Sequence, residues 1–80
     1  MIFEVDGHKV KIEVMNIAAG SNEYNDSDTR NFLVSLTCMA HDARSYNEEY
    51  GYDGCAEEDR RYAKAFGNAW RAMDEGRNEI

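Results

Sequence analysis

One long amphipathic segment, from Asp26 to Gly51, constrains the fold more than any other feature of the chain. Its apolar residues recur mostly at steps of three and four, the period of a helix with one buried stripe. They are Phe32, Leu33, Leu36, Met39, Ala40, Ala43, Tyr46 and Tyr50. Residues 32–38 also alternate as a third strand would, but the helical period continues far beyond them. The pattern therefore favours a helix, with Asp26 or Ser27 as its N-cap.

The segment before this helix, residues 1–14, has the pattern of a β-hairpin. Asp6-Gly7 is a strong two-residue turn signal, because both residues tolerate the positive φ of a type I′ turn. That turn pairs Val5 with His8, Glu4 with Lys9, Phe3 with Val10 and Met1 with Ile12. One face then carries the apolar side chains of Met1, Phe3, Val5, Val10, Ile12 and Val14. Residues 16–25 have no defensible period and indicate a loop.

A second helix is predicted from Cys55 to Glu75, after a break at Gly51 and Gly54. Its apolar stripe consists of Tyr62, Ala63, Phe66, Ala69, Trp70 and Met73. The short connection makes the two helices an antiparallel pair, with Ala43 opposite Ala63, and Leu36 opposite Trp70. The predicted fold class is therefore α+β, a hairpin followed by a helical hairpin (ββαα). The hairpin has few partners, so we expect it to pack across the long helix or to form a homodimer.

The chain of 80 residues is long enough for one domain, although a small one with a limited core. Its two cysteines, Cys38 and Cys55, are too few for a disulfide scaffold, and about 18 Å of helix would separate them. Both are expected to be free thiols, which favours a reducing, cytoplasmic location. The N-terminus lacks the apolar run of a signal peptide, and the sequence has no apolar stretch of membrane-spanning length.

Charge is distributed unevenly along the chain, whose net charge is −7. Residues 21–59 carry ten acids against two bases, whereas residues 60–77 carry five bases against two acids. A predominantly acidic field repels nucleic acid and attracts basic partners. The distribution therefore argues against direct binding of nucleic acid and for a basic protein partner.

Motifs for nucleotide, metal or covalent chemistry are weak or absent in the sequence. Neither common phosphate-binding glycine motif is present. Cys38, His41 and Asp42 have a chelating spacing on one helix, but a closed zinc site needs a fourth ligand. Asp26-x-Asp28 begins like a calcium loop, yet Arg30 follows at the next alternate position. We therefore predict no catalytic residue, metal or cofactor.

The strongest candidate for a functional site is the end of the helical hairpin, residues 46–59, which we call the acidic tip. Residues 48–59 include six acids and no base, with tyrosines among them. Carboxylates beside exposed tyrosines suit a basic, arginine-rich protein surface, because they combine negative charge with flat apolar area. The predicted partner-binding residues are Tyr46, Glu48, Glu49, Tyr50, Tyr52, Asp53, Glu57 and Glu58. The alternative is a solvated helix end whose acids merely suit the helix dipole.

A basic stripe on the second helix is the competing candidate. It consists of Arg60, Lys64 and Arg71, which share one face and could bind an anionic ligand or a nucleotide in an oligomeric protein. Arg61 lies beside it, within reach of an i,i+4 ion pair with Glu57. A solvated, ion-paired face is the alternative interpretation.

Small size and acidity are shared by many phage and mobile-element proteins that inhibit host defence proteins by occupying their nucleic-acid sites. No motif in the chain is specific enough to assign a family. The sequence thus predicts a small, acidic, non-catalytic protein-interaction module, with an inhibitor that mimics nucleic acid as the leading hypothesis. An oligomeric protein that binds a small anion is the second hypothesis.

Overall fold

The computed structural model describes residues 1–15 and 24–80, and it confirms the predicted ββαα order. The elements are β1 (Ile2–Val5), β2 (His8–Lys11), α1 (Asp26–Glu49) and α2 (Asp53–Asp74). The loop predicted over residues 16–25 lies mostly outside the described residues. Neither of the two helices is long and apolar enough to cross a membrane.

The hairpin forms with the predicted register. Asp6 and Gly7 have φ values of 51° and 80°, the positive values that a type I′ turn requires at both central residues. The strands are antiparallel, and Val5 is paired with His8 and Phe3 with Val10. Beyond the strands, the Met1 carbonyl accepts a hydrogen bond from the Ile12 N–H at 2.9 Å. The alternation therefore places Met1, Phe3 and Val5 on the buried side.

The C-terminal residues pair with β1, which the sequence did not predict. The Ile2 N–H donates to the Asn78 carbonyl, and the Ile80 N–H donates to the Ile2 carbonyl, both at 2.9 Å. The Lys9 ammonium lies 3.5 Å from a carboxylate oxygen of Glu79, across the hairpin. The edge of β1 at Ile2 is thus paired with residues 78–80.

α1 has the predicted extent to within two residues, and residues 32–38 are helical rather than a third strand. Its N-cap is Asn25, not Asp26 or Ser27, because the Asn25 side chain accepts a hydrogen bond from the Asp28 N–H at 2.9 Å. The helix ends before Gly51, whose φ of 78° allows the Tyr52 N–H to donate back to the Asn47 carbonyl. This is a Schellman-type ending.

α2 begins two residues earlier than predicted, at Asp53, and ends in the same way as α1. Gly76 has a φ of 82°, and the Arg77 N–H donates to the Ala72 carbonyl. Side-chain hydrogen bonds join the two antiparallel helices near both ends of the pair. An Asn47 amide N–H donates to Asp59 at 2.7 Å, and Arg30 donates to both carboxylate oxygens of Asp74. These contacts confirm the predicted antiparallel pairing of the helices.

The large buried side chains lie at one end of the molecule, which we call the base. Met1, Phe3, Val5 and Leu33 form its core together with Ala69 and Ala72 of α2. The Phe3 ring meets the Phe66 ring edge to face at 5.9 Å. Buried Thr29 connects α1 to the chain after β2, because its hydroxyl accepts from the Val14 N–H at 2.9 Å. Toward the acidic tip, the buried residues are small: Ala40, Ala56 and Ala63.

The predicted buried stripe of α1 is wrong for half of its members. Leu33 and Ala40 are buried, and Leu36 and Ala43 are half-buried, but the side chains of Phe32, Met39, Tyr46 and Tyr50 are exposed. Small residues bring α2 close to α1, so α2 covers only a narrow strip of α1. The hairpin does not cover the rest, because the backbone of β1 lies against α2 and not against α1. The apolar band of α1 is therefore wider than the surface that covers it.

Candidate protein-interaction site

The acidic tip is built by the end of α1, the connection and the first turns of α2. One glycine-dependent turn sets its shape, since Gly51 ends α1 and α2 starts again at Asp53. The connection is short, so the acids of both helices gather at one end of a molecule with extents of 45 × 25 × 20 Å. This end lies opposite the base, where the hairpin packs against α2.

Three tyrosines at the tip expose their rings. Tyr46, Tyr50 and Tyr52 are 56%, 59% and 55% exposed, although tyrosines commonly bury most of their ring area. Tyr46 and Tyr50 are one helical turn apart, and their ring centroids lie 4.6 Å from each other. The tip therefore presents an aromatic pair and a third ring to solvent, as the interaction hypothesis requires.

Three of the predicted acids already have partners within the chain. The guanidinium of Arg60 lies 3.6 Å from Glu48 and 3.4 Å from Glu57, so one base joins the two helices. Glu58 accepts a hydrogen bond from the Tyr62 hydroxyl at 2.9 Å. This hydrogen bond, and the negative charge of Glu58, raise the pKa of Tyr62. Glu48, Glu57 and Glu58 thus contribute to the local structure of the tip.

Glu49 and Asp53 differ from these acids, because neither forms an ion pair with any described residue. Asp53 lies in the first turn of α2, where the helix dipole favours a negative charge. Glu49 is the last residue of α1, where the dipole disfavours one, and the last turn of α1 contains no base. The solvated-end interpretation accounts for Asp53 but not for Glu49.

Asn47 and Asp59 are a part of the tip that sequence reasoning did not single out. Both residues are half-buried, and their hydrogen bond joins α1 to α2 directly behind the exposed acids. The predicted helical register contained the signal, since it places these two positions opposite each other. Their role is structural: they hold the two halves of the tip together.

The basic stripe is not gathered into one site. Arg60 belongs to the acidic tip, where it pairs with Glu48 and Glu57. Arg71 lies on the Trp70 ring, with its guanidinium carbon 4.9 Å from the ring centroid, about 16 Å along the helix from Arg60. Lys64 is exposed between them. Arg61 pairs with Asp6 of the hairpin turn at 2.8 Å rather than with Glu57.

Two cavities lie outside the acidic tip, and one of them borders the face of the basic stripe, because Asn68 lines it. One, of about 310 Å³, is at the base beside Arg30, Asp74 and Arg77, and the other, of about 380 Å³, is beside Phe3 and Ile80. Neither is lined by Arg60, Lys64 or Arg71. A small anion bound by the basic stripe would therefore lie on an open helix face and not in either cavity.

Among the described residues, Cys38, His41 and Asp42 do not form a metal site, and the two cysteines are not paired with each other. Both cysteines are free, as predicted, and both are exposed. Within residues 1–15 and 24–80, no three His, Cys, Asp or Glu side chains are grouped so that they could hold a metal ion. His41 and Asp42 are exposed on α1.

Comparisons with family models, with curated proteins and with solved structures give no match for this chain. A functional proposal for this chain therefore depends on the geometry of the tip and of the helix faces next to it.

Proposed function

We propose that this chain is a non-catalytic interaction module whose acidic tip binds a basic surface of a nucleic-acid-binding protein. The observation that carries the proposal is the exposure of Tyr46, Tyr50 and Tyr52 among the acids. Exposed tyrosines supply large, rigid contact area, and the carboxylates supply the negative charge that such a partner evolved to hold. The carboxylates would stand in for phosphates, and the rings would occupy the space of bases.

The placement of Glu49 supports the proposal independently. An acid at the C-terminal end of a helix costs roughly 0.3–1 kcal/mol of stability through the helix dipole. Within the described residues, no base offsets Glu49. Natural sequences break such a local rule mainly at functional sites. A partner with arginine or lysine opposite Glu49 would turn this unfavourable charge into a favourable contact.

The proposal includes a biological setting. An inhibitor of this kind acts in the cytoplasm, where two free thiols persist and where host nucleic-acid-binding proteins are accessible. Its targets would be defence proteins of the host of a phage or mobile element. Inhibition would follow from competition, because a basic groove that holds the tip cannot also hold nucleic acid.

The experiment is affinity capture from a host lysate at low and high salt, followed by mass spectrometry. We expect a basic nucleic-acid-binding protein to be recovered at low salt and to be released as salt screens the charges. Added double-stranded nucleic acid should displace it. A bait with Glu49→Lys and Asp53→Lys should fail to recover it.

The matched control is Glu4→Lys with Glu13→Lys on the hairpin. Each double variant reverses two acids, so each changes the net charge from −7 to −3. The control bait should retain the partner if the tip is the binding surface. Equal loss with both baits, or a partner that nucleic acid does not displace, would contradict nucleic-acid mimicry.

A further inference from the structure

α1 carries a second apolar seam that neither α2 nor the hairpin covers completely. Its members follow one another at steps of four, three, four, three and four residues, the spacing of the a and d positions of a coiled coil. We call it the outer stripe, and it consists of Phe32, Leu36, Met39, Ala43, Tyr46 and Tyr50. A helix with this spacing presents one continuous line of apolar side chains over about 27 Å.

Four of the six members of the outer stripe are exposed, and they are spread over its whole length. Phe32 is 46% exposed and Met39 is 65% exposed, in addition to Tyr46 and Tyr50 at the tip. Leu36 and Ala43, between them, are half-buried against the rest of the domain. Apolar residues exposed singly are ordinary, but a line of them at coiled-coil spacing has the form of a helix-docking surface.

Acids accompany the outer stripe on one side. Asp28, Asp42 and Glu49 are separated by multiples of seven residues, so they share the helical position that flanks a coiled-coil seam. All three are exposed, and none forms an ion pair with a described residue. The seam therefore has an apolar centre and an uncompensated negative border.

We propose that the outer stripe binds an amphipathic helix of the partner whose flanking positions carry lysine and arginine. The apolar face of that helix would pack on Phe32, Met39 and Tyr46, and its bases would lie along Asp28, Asp42 and Glu49. This proposal rests on the proposed function, since Tyr46, Tyr50 and Glu49 belong to both surfaces. It adds the kind of structural element that the partner contributes.

The negative charge of the chain favours a basic helix, rather than a second copy of the chain, as the element that binds the outer stripe. The chain carries a net charge of −7, and an antiparallel pair of α1 helices would bring Asp42 of each copy close to the other. Like charges that face each other across a coiled-coil seam disfavour pairing. A basic helix instead neutralises the acidic border while it covers the same apolar area.

The experiment uses a fluorescent helical peptide of about three heptads, with leucine at the a and d positions and lysine at the flanking positions. Fluorescence anisotropy at low salt should give saturable binding to the full chain, and a peptide with glutamate at the flanking positions should not bind. Met39→Gln and Asp42→Lys should each raise the Kd about tenfold, since each removes a central contact. Both side chains are exposed, so the fold should tolerate the changes.

Two control variants are matched to these changes in chemistry. Ile80→Gln removes an exposed apolar side chain and Glu4→Lys reverses an exposed acid, both away from α1. Each should change the Kd by less than about twofold. If Glu4→Lys weakens binding as much as Asp42→Lys, the peptide follows net charge alone and the proposal is overturned.

Analytical ultracentrifugation of the chain by itself tests whether a second copy of the chain binds the outer stripe instead. A monomer supports the proposal, whereas a dimer that Met39→Gln dissociates would assign the outer stripe to self-association and overturn it. Asp53→Lys distinguishes this proposal from the proposed function, because Asp53 lies at the tip but off the outer stripe. Peptide binding that survives Asp53→Lys but not Met39→Gln would support helix docking even if capture recovers no nucleic-acid-binding protein.

Discussion

The base and the acidic tip are made from the same two helices, yet they are packed in opposite ways. At the base, the large side chains of Phe3 and Leu33 are buried, and an Arg30–Asp74 ion pair and a Thr29 hydroxyl join the elements. Toward the tip, the buried residues between the helices are alanines, and at the tip the large tyrosines face solvent. Buried apolar area, which stabilises the fold, is therefore concentrated at one end of the molecule, and exposed contact area at the other.

The largest expected effect tests whether stability really resides at the base. Leu33→Ala should lower the free energy of unfolding by about 2–5 kcal/mol, because it leaves a cavity in a fully buried site. Met39→Ala on the same helix should change it by less than about 0.5 kcal/mol, since that side chain is exposed. Urea unfolding monitored by circular dichroism measures both. Equal losses would mean that the outer stripe is part of the core.

The next effect concerns the turn that creates the tip. Gly51 has a φ of 78°, so Gly51→Ala should cost about 1 kcal/mol of stability through backbone strain. Gly54 lies in α2 without a positive φ, and a Cβ there would meet no atom within 4 Å. Gly54→Ala should therefore be neutral or stabilise by up to about 1 kcal/mol. Thermal unfolding distinguishes the two, and destabilisation by both variants would show that the turn is not held by Gly51 alone.

Two acids of the tip should respond to charge reversal with opposite signs. Glu49→Lys should raise stability by roughly 0.3–1 kcal/mol, because it places a base at the C-terminal end of α1. Asp53→Lys should lower stability by a similar amount, because it places a base in the first turn of α2. Stability measured at low salt tests both. A loss with Glu49→Lys would remove the argument that this acid is kept for binding.

The smallest effect concerns the titration of Tyr62. Its pKa is raised because its hydroxyl donates a hydrogen bond to Glu58 and lies close to that negative charge. Glu58→Ala should lower the pKa of Tyr62 toward its ordinary value, whereas Glu57→Ala should leave it in place. Because the fold favours the neutral phenol, its contribution to stability is present below a pH of about 10 and is lost as the pH rises through the raised pKa. NMR titration of the labelled tyrosine ring measures the shift, and an unchanged pKa in Glu58→Ala would exclude this cause.

Local patterns predicted much of the fold, because its strongest signals are local. Asp6-Gly7 fixes the hairpin register through backbone sterics, and Gly51 and Gly76 end the helices in the same way. The pairing of residues 78–80 with β1 was not predicted, because a segment of three residues is too short to show the alternating pattern of a strand. N-cap choice also failed, since Asn25, Asp26 and Ser27 are all good caps.

The composition of the candidate site was predicted, but two predictions of its exposure conflicted: the apolar stripe of α1 buried Tyr46 and Tyr50, and the interaction hypothesis exposed them. A period of three and four shows that Phe32, Met39 and Tyr46 lie on one side of α1, and an apolar side of this kind predicts burial. Whether the apolar side of α1 is buried depends on how much of it α2 and the hairpin cover. That depends on tertiary packing and cannot be read from the periodicity of one helix. Strict alternation of four and three residues was the available signal that a second seam lies beside the buried one.

The alanine-lined contact between the helices near the tip has a consequence for dynamics. Contacts among methyl groups bury little area, so we expect the end of the helical hairpin to open locally at a smaller free-energy cost than the base does. Backbone amides of residues 46–59 should then exchange with solvent before those around Leu33. A partner that docks there would hold this end closed, and part of its binding free energy would be used in ordering the tip.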